Sequence, residues 1–299
     1  MKLEAEDLGR GRLRLGLAAR GALRWAVADL GEIVEIQRRR RDLSPVAAVA
    51  LGQMLAGAAL LHRLQLKTPV RLILEARGEG PLGRVSAEAD QRGHVRGTVA
   101  IPQATVASGA GHDLDVMDAL GKGLLKVRRQ MRSTTYESQV PLVEGGGISQ
   151  QLAFYLEQSE QTASAVLLGV LARPLGVASA GGMILEALPG TDLDLLRALE
   201  TKLGSLDGVS RTLESGGLDG LLEAALGELD REVLEEREIE YSCGCDRERF
   251  RLQIASLPPE DRAYLTAQDE PAAPRSVDVE CNFCGTHYAF SLEELSVLQ

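Results

Sequence analysis

Near the N-terminus apolar and polar residues alternate. Leu13, Leu15 and Leu17 are separated by polar or small residues, Gly21 breaks the run, and Leu23–Val27 resumes it. A period of two with a glycine break predicts a β-hairpin. The pattern then changes: Pro45–Leu61 is apolar at every position except Gln53. Ser44 suits an N-cap and Pro45 a first helical position, so a helix is expected over about 45–64. The apolar run sits at the short limit for a membrane span and is rich in Ala and Gly, which predicts a buried core helix and no membrane association. Strands follow at Val70–Ala76, Leu82–Ala89 and His94–Ala100, with Gly78, Gly80 and Gly93 in the connections. Leu124–Arg129 and Tyr136–Leu142 form a further pair. Ile148–Gln158 has helical spacing, and Ala165–Leu171 and Val177–Leu185 read as later strands or buried segments. Residues 1–190 are therefore expected to form one mixed α+β core domain.

Residues 191–240 read differently. Thr191 and Asp194 fit a capping box ahead of Leu195, Leu196, Leu199 and Leu203, and Leu218, Leu221, Leu222, Ala225, Leu226 and Leu229 form a second apolar stripe. Six glycines interrupt the stretch: Gly204, Gly208, Gly216, Gly217, Gly220 and Gly227. Interior glycine weakens a helix by about 0.5–1 kcal/mol relative to Ala. The stretch also holds 14 Asp and Glu against 5 Lys and Arg, nearly all of the chain's net charge of −10. Helices of this kind persist only while their apolar stripes are docked, so 191–240 is read as an acidic helical linker, either a solvated connector or a conformational switch.

Chemistry concentrates in residues 241–299, where all four cysteines lie as Cys243-Gly244-Cys245 and Cys281-Asn282-Phe283-Cys284, 35 residues apart. Two close pairs of thiols suit the tetrahedral shell of one structural Zn²⁺ per chain, iron being the alternative soft metal. His287, three residues past Cys284, is an alternative ligand, disfavoured because four sulfurs already complete the shell. A segment with so few large apolar residues needs a metal or cross-links to fold. The same sulfurs are what peroxide or hypochlorous acid would attack, so metal site and oxidation sensor coincide, and oxidation to disulfides would eject the metal. Arg247, Arg249 and Arg275 either offset the charge of a four-thiolate centre or are ordinary surface residues, the second being preferred.

Other functional classes are disfavoured. Gly78-Glu79-Gly80-Pro81-Leu82-Gly83 matches a dinucleotide-binding pattern, but alternation resumes at Arg84–Ala89 where a helix is required, so a hairpin connection is expected. His62, His94 and His112 are isolated and no catalytic constellation stands out, so no enzyme is expected. The acidic balance argues against nucleic acid as a partner. Met1–Arg10 lacks a signal pattern, which suggests a cytoplasmic protein with reduced cysteines.

These residues together resemble the redox-regulated chaperones of the heat-shock protein 33 family. The C-terminal likeness lies in Cys243-Gly244-Cys245, Glu280-Cys281-Asn282-Phe283-Cys284-Gly285-Thr286-His287-Tyr288, Phe290 and Glu293-Glu294-Leu295. The N-terminal likeness lies in Asp42-Leu43-Ser44-Pro45, Gly78–Gly83, Glu88-Ala89-Asp90 with Gly97, Ser159-Glu160-Gln161-Thr162 and Ala180-Gly181-Gly182. It covers nearly the whole chain. A somewhat longer stretch between the cysteine pairs departs from the family and leaves the local fold of 255–275 open. The resemblance implies that the reduced, zinc-bound form is inactive. It implies that oxidation forms Cys243–Cys245 and Cys281–Cys284 disulfides and releases the metal. The zinc unit then unfolds, the linker loosens, and the protein holds unfolded clients without ATP, as a homodimer when oxidised. Two rivals are a zinc-ribbon nucleic-acid-binding protein and a thiol-disulfide oxidoreductase. A structural zinc protein with no redox role is the third.

Overall fold

A computed structural model of the chain describes residues 9–65, 67–106, 116–143, 145, 147–266, 276–291, 294 and 295. His112, Arg275, Glu293 and residues 267–275 of the open stretch lie outside them. The chain divides into two compact units, Leu3–Ser242 and Cys243–Gln299.

The first unit opens with the hairpin β1 (Arg10–Ala18) and β2 (Leu23–Asp29), followed by α1 (Gly31–Arg40) and α2 (Pro45–Leu64). A meander of β3 (Arg71–Gly78), β4 (Arg84–Asp90) and β5 (His94–Val99) comes next, then α3 (Val116–Leu120) and the hairpin β6 (Gly123–Gln130) and β7 (Thr135–Pro141). Helix α4 (Gly147–Tyr155) runs into a π-turn at Leu156–Glu160 and leads to β8 (Ser164–Arg173) and β9 (Gly176–Ala187). Helices α5 (Leu193–Gly204) and α6 (Val209–Leu226) and strand β10 (Arg231–Tyr241) complete it. The strands form one ten-stranded sheet in the order β7-β6-β3-β4-β5-β10-β1-β2-β9-β8. This is a mixed α/β fold on a large sheet, and every strand read between Leu13 and Leu185 is present.

Helix α2 is the centre of the core. Ser44 caps it, its Oγ accepting from the Ala47 N–H at 3.3 Å and donating to the Ala104 carbonyl at 2.6 Å. Almost the whole helix is buried. Its small residues let neighbours approach closely: a Cβ on Gly57 would lie 2.5 Å from Leu152 Cδ1. His62 on this helix is buried and hydrogen-bonds the Pro69 carbonyl through Nε2 at 2.9 Å, and burial lowers its pKa. It is a core histidine.

Three local readings are corrected. The alternation in β1 does not run unbroken: the pairing register shifts between Leu15 and Gly16, and past that bulge Gly16 and Ala18 take the buried side while Leu15 and Leu17 are only half-buried. Thr191 does not cap α5. Asp192 does, accepting from the Asp194 N–H at 3.1 Å, while the Thr191 hydroxyl lies 2.7 Å from the Ala22 carbonyl and 2.6 Å from that of Leu188. Residues 191–240 are not helical throughout, because Arg231–Tyr241 is a strand between β1 and β5.

Helices α5 and α6 dock as their stripes require. Leu199, Leu213, Leu218, Leu221, Leu222, Ala225 and Leu226 bury against Leu23, Trp25, Val27, Met183 and Leu185 of β2 and β9. Helix α6 is broken at Gly217 (φ 59°, ψ −152°), a conformation open essentially to glycine alone. Strand β10 is held mainly by polar contacts. Only Ile239 and Tyr241 are buried, the Tyr241 hydroxyl donating to the Gly97 carbonyl at 3.1 Å. Arg10 pairs with Glu238 and Arg14 with Glu236, both at 3.2 Å, and Arg63 of α2 pairs with Glu235. Toward β1 the strand is paired along its length, but toward β5 only Glu240 and Tyr241 find partners.

Helix α1, which the sequence pattern did not reveal, is tied to β9 by Glu35, whose carboxylate accepts from Arg38 Nε and from the Val177 N–H, each at 2.8 Å. The Arg38 hydrogen bond is the main cause that lowers its pKa to about 2. A carboxylate depressed in the folded state stabilises above its unfolded pKa, near 4.5, and loses that contribution as pH falls through about 2. Glu35→Gln is expected to flatten the acid limb of the stability curve in that window, measured by urea denaturation at successive pH values. In the same assay at neutral pH, Leu221→Ala should cost about 2–5 kcal/mol, because it opens a cavity under docked α6. Exposed Leu193→Ala should stay within about 0.5 kcal/mol. Equal small losses would mean that α6 is not docked.

Candidate metal centre

The second unit contains α7 (Arg247–Ala255), α8 (Pro259–Thr266) and an antiparallel pair, β11 (Ser276–Glu280) and β12 (His287–Ser291). Asp246 caps α7, accepting from the Arg249 N–H at 2.7 Å. The core is small: Ile254, Phe290 and Leu295 are buried, with Phe250, Val277, Val279 and Tyr288 packed around them.

Two tight turns aim the sulfurs. Between β11 and β12 the Cys281 N–H donates to the Thr286 carbonyl at 2.9 Å and the Gly285 N–H donates back to the Cys281 carbonyl at 2.8 Å. Gly285 adopts φ +68° and Gly244, between the other two cysteines, φ +66°, so glycine permits both turns. All four Sγ atoms fall within 4.8 Å of one another. Cys243 lies 3.3 Å from Cys281, and Cys245 lies 3.4 Å from Cys284. These are free thiols, well beyond the roughly 2.05 Å of a disulfide. Zn–S bonds of about 2.3 Å in a tetrahedron require sulfurs about 3.8 Å apart, and the quartet's separations, from 3.3 Å up to the 4.8 Å limit, bracket that spacing. Cys243, Cys281 and Cys284 are buried, and Cys245 is half-buried.

The electrostatics call for a cation. Hydrogen bonds from Cys243 and Cys281 hold the Cys284 thiol far below its ordinary pKa. The partner Cys243 is pushed up, first by its hydrogen bond with Cys281. Burial is the main cause that pushes Cys245 up to about 11. One thiol is thus favoured as thiolate and two are disfavoured; a soft dication would allow four thiolates.

The structure brings together all four sequence-read sulfurs. His287 is not among the clustered ligand atoms; its Nδ1 lies 2.9 Å from Asp278 Oδ2 at the surface. Arg247 pairs with Glu294 at 3.0 Å and lies 4.5 Å over the Phe290 ring, while Arg249 donates to the Gly244 carbonyl at 3.3 Å. Both behave as structural surface residues. Sequence reasoning gave no role to two hydroxyls that touch the cluster, Tyr288 Oη at 3.2 Å from Cys245 Sγ and Thr286 Oγ1 at 3.2 Å from Cys284 Sγ. Residues Gly78–Gly83 form the expected connection between β3 and β4, and a Cβ on Gly78 would lie 1.9 Å from the Leu120 carbonyl oxygen. Those glycines serve close backbone packing.

Fold and cluster together define a class: an α/β protein on one large sheet whose C-terminal region carries a four-thiol, metal-capable cluster. Comparison with known proteins narrows it. The family described as Hsp33 protein matches residues 12–291. Among curated relatives, the 33 kDa chaperonin of Thermus thermophilus is 41% identical, covering 96% of this chain and 86% of its own length. That of Symbiobacterium thermophilum is 39% identical and covers 95% of each. The crystal structure of the 33 kDa chaperonin (heat shock protein 33 homolog) of Thermotoga maritima superposes with a TM-score of 0.87 at 32% identity, covering 96% of this chain and 97% of that one. The chain belongs to the heat-shock protein 33 family.

Metal ligation by four sulfurs predicts about one zinc per chain in freshly purified, reduced protein, measured by elemental analysis. Cys281→Ser should bind less and yield it faster to a chelator. Because the sulfurs must be deprotonated, wild-type affinity should fall as pH is lowered. Unchanged zinc content in the serine variant would contradict the ligand assignment.

Proposed function

We propose that this protein is a redox-regulated, ATP-independent holdase chaperone. The observation that carries the reading is the quartet of free sulfurs in a unit whose apolar core, among the described residues, has three buried side chains. Cys243, Cys245, Cys281 and Cys284 would hold one Zn²⁺, which supplies the charge neutralisation and cross-linking that this core lacks. Structural zinc contributes on the order of 10–16 kcal/mol, against about 5–15 kcal/mol for the stability of a whole domain. Losing it would unfold the segment.

Oxidation would join Cys243 to Cys245 and Cys281 to Cys284. Forming each disulfide takes two electrons from a pair of sulfurs, and with two protons from the thiols or solvent these reduce one hydrogen peroxide to two waters. Contacts of 3.3 and 3.4 Å run across the pairs in the reduced arrangement, and pairing within them to disulfide length would draw the sulfurs out of that shared arrangement. Cys243 follows the end of β10 by two residues, and that strand has little apolar anchorage. Residues 191–240 would be the switch between a core domain of residues 1–190 and a sensor domain of 241–299. If α5 and α6 let go, Leu23, Trp25, Val27, Met183 and Leu185 lose their cover and offer an apolar face to unfolded proteins. The oxidised form would act as a homodimer, and the reduced resting state suits the cytoplasm. The names of the relatives, chaperonins, support a chaperone. No observation favours the nucleic-acid or oxidoreductase readings.

Light scattering of a chemically unfolded client should show little suppression of aggregation by the reduced zinc form. Protein treated with peroxide under mildly unfolding conditions should suppress it strongly. Equal suppression by both forms would remove the redox switch.

A further inference from the structure

Cys245 is the half-buried sulfur of the four, hence the one an electrophile in solution meets first. It is also the one that Tyr288 touches, Oη to Sγ 3.2 Å. Tyr288 is fixed from two sides: its backbone pairs with Val279 across the hairpin, and its ring packs 5.0 Å from that of Phe250 on α7. A sulfur bound to a cation is a thiolate without a proton, so in this pair the tyrosine O–H must donate. The hydrogen bond draws electron density from the sulfur and is weakened as the sulfur's charge passes to an incoming carbon or oxygen, which slows attack. Arg247 and Arg249 are engaged with Glu294, Phe290 and the Gly244 carbonyl. Thr286 makes the equivalent contact to Cys284, but that sulfur is fully buried.

We propose that Tyr288 is a positioning residue for the sulfur cluster: its hydroxyl restrains the exposed thiolate of Cys245 and so sets how readily the centre reacts and releases its metal. The proposal rests on the reading that the four sulfurs hold zinc.

Tyr288→Phe removes the hydroxyl and keeps the ring. Reduced wild-type and variant proteins are treated with iodoacetamide. A cysteine sulfur displaces iodide and forms a thioether, mapped by mass spectrometry, while a chelating dye reports released zinc. The variant should begin with the wild-type zinc content. It should then alkylate at Cys245 about tenfold faster, the rate equivalent of about 1.4 kcal/mol. Zinc release should accelerate in step, and in the cobalt-substituted protein the sulfur-to-metal charge-transfer band should move to lower energy. Tyr136→Phe, which removes an exposed hydroxyl on β7 of the first unit, should leave the Cys245 rate unchanged. An unchanged rate and band in Tyr288→Phe would overturn the proposal. So would a rise spread equally over all four cysteines, or a loss of zinc before reagent is added, since either marks a purely structural role. Absence of zinc from the wild-type protein would instead refute the metal reading itself.

Discussion

Like charges held at close range need a counter-charge, and the second unit is organised around that constraint. At an effective dielectric of about 20, two unit charges 4 Å apart interact by about 4 kcal/mol. Four thiolates whose sulfurs lie within 4.8 Å of one another contain several such pairs. Without a cation, crowding and burial in the cluster raise the pKa of Cys243 and Cys245. With one it becomes the strongest cross-link in a segment whose hydrophobic core is too small to hold two helices and a hairpin by burial alone. The turns at Gly244 and Gly285, the hairpin register and the two hydroxyl contacts all serve the placement of these sulfurs.

The first unit carries a different imbalance. Helix α2 is buried along nearly its whole length, which makes the centre of the fold robust. The elements added last in sequence are of another character. Helices α5 and α6 are attached through one apolar face, and α6 is broken by glycine; β10 is attached by its backbone ladder to β1, by ion pairs and, toward β5, through two residues. Ion pairs at a surface contribute modestly, about 0–1 kcal/mol each. The strand of this unit nearest in sequence to the cysteines thus has little apolar anchorage and is held by its backbone ladder to β1 and by surface charge pairs.

Much of this was legible in the sequence because it is governed by local rules. Most strands between Leu13 and Ala100 show a period of two, α2 has an N-cap, a proline at its start and an apolar run interrupted only at Gln53, and the stripes of α5 and α6 recur at helical spacing. The cysteines announced themselves by spacing alone. The misses have physical causes. Helix α1 hides because its mixed charges give no sustained apolar stripe. Strand β10 hides because its inward positions include Arg237 and Glu235, so the apolar alternation that marks a strand is missing. The bulge in β1 is invisible because it depends on pairing with a strand more than two hundred residues away.

Composition and spacing thus determined which atoms form the cluster and which helix fills the core, since both follow from residue types within a short window. Only the folded chain decided that Arg231–Tyr241 enters the sheet, that His287 turns to Asp278, and that Tyr288 reaches Cys245. Those outcomes rest on hydrogen bonds and charge pairs between distant segments, whose strength depends on tenths of an ångström that no one-dimensional pattern encodes.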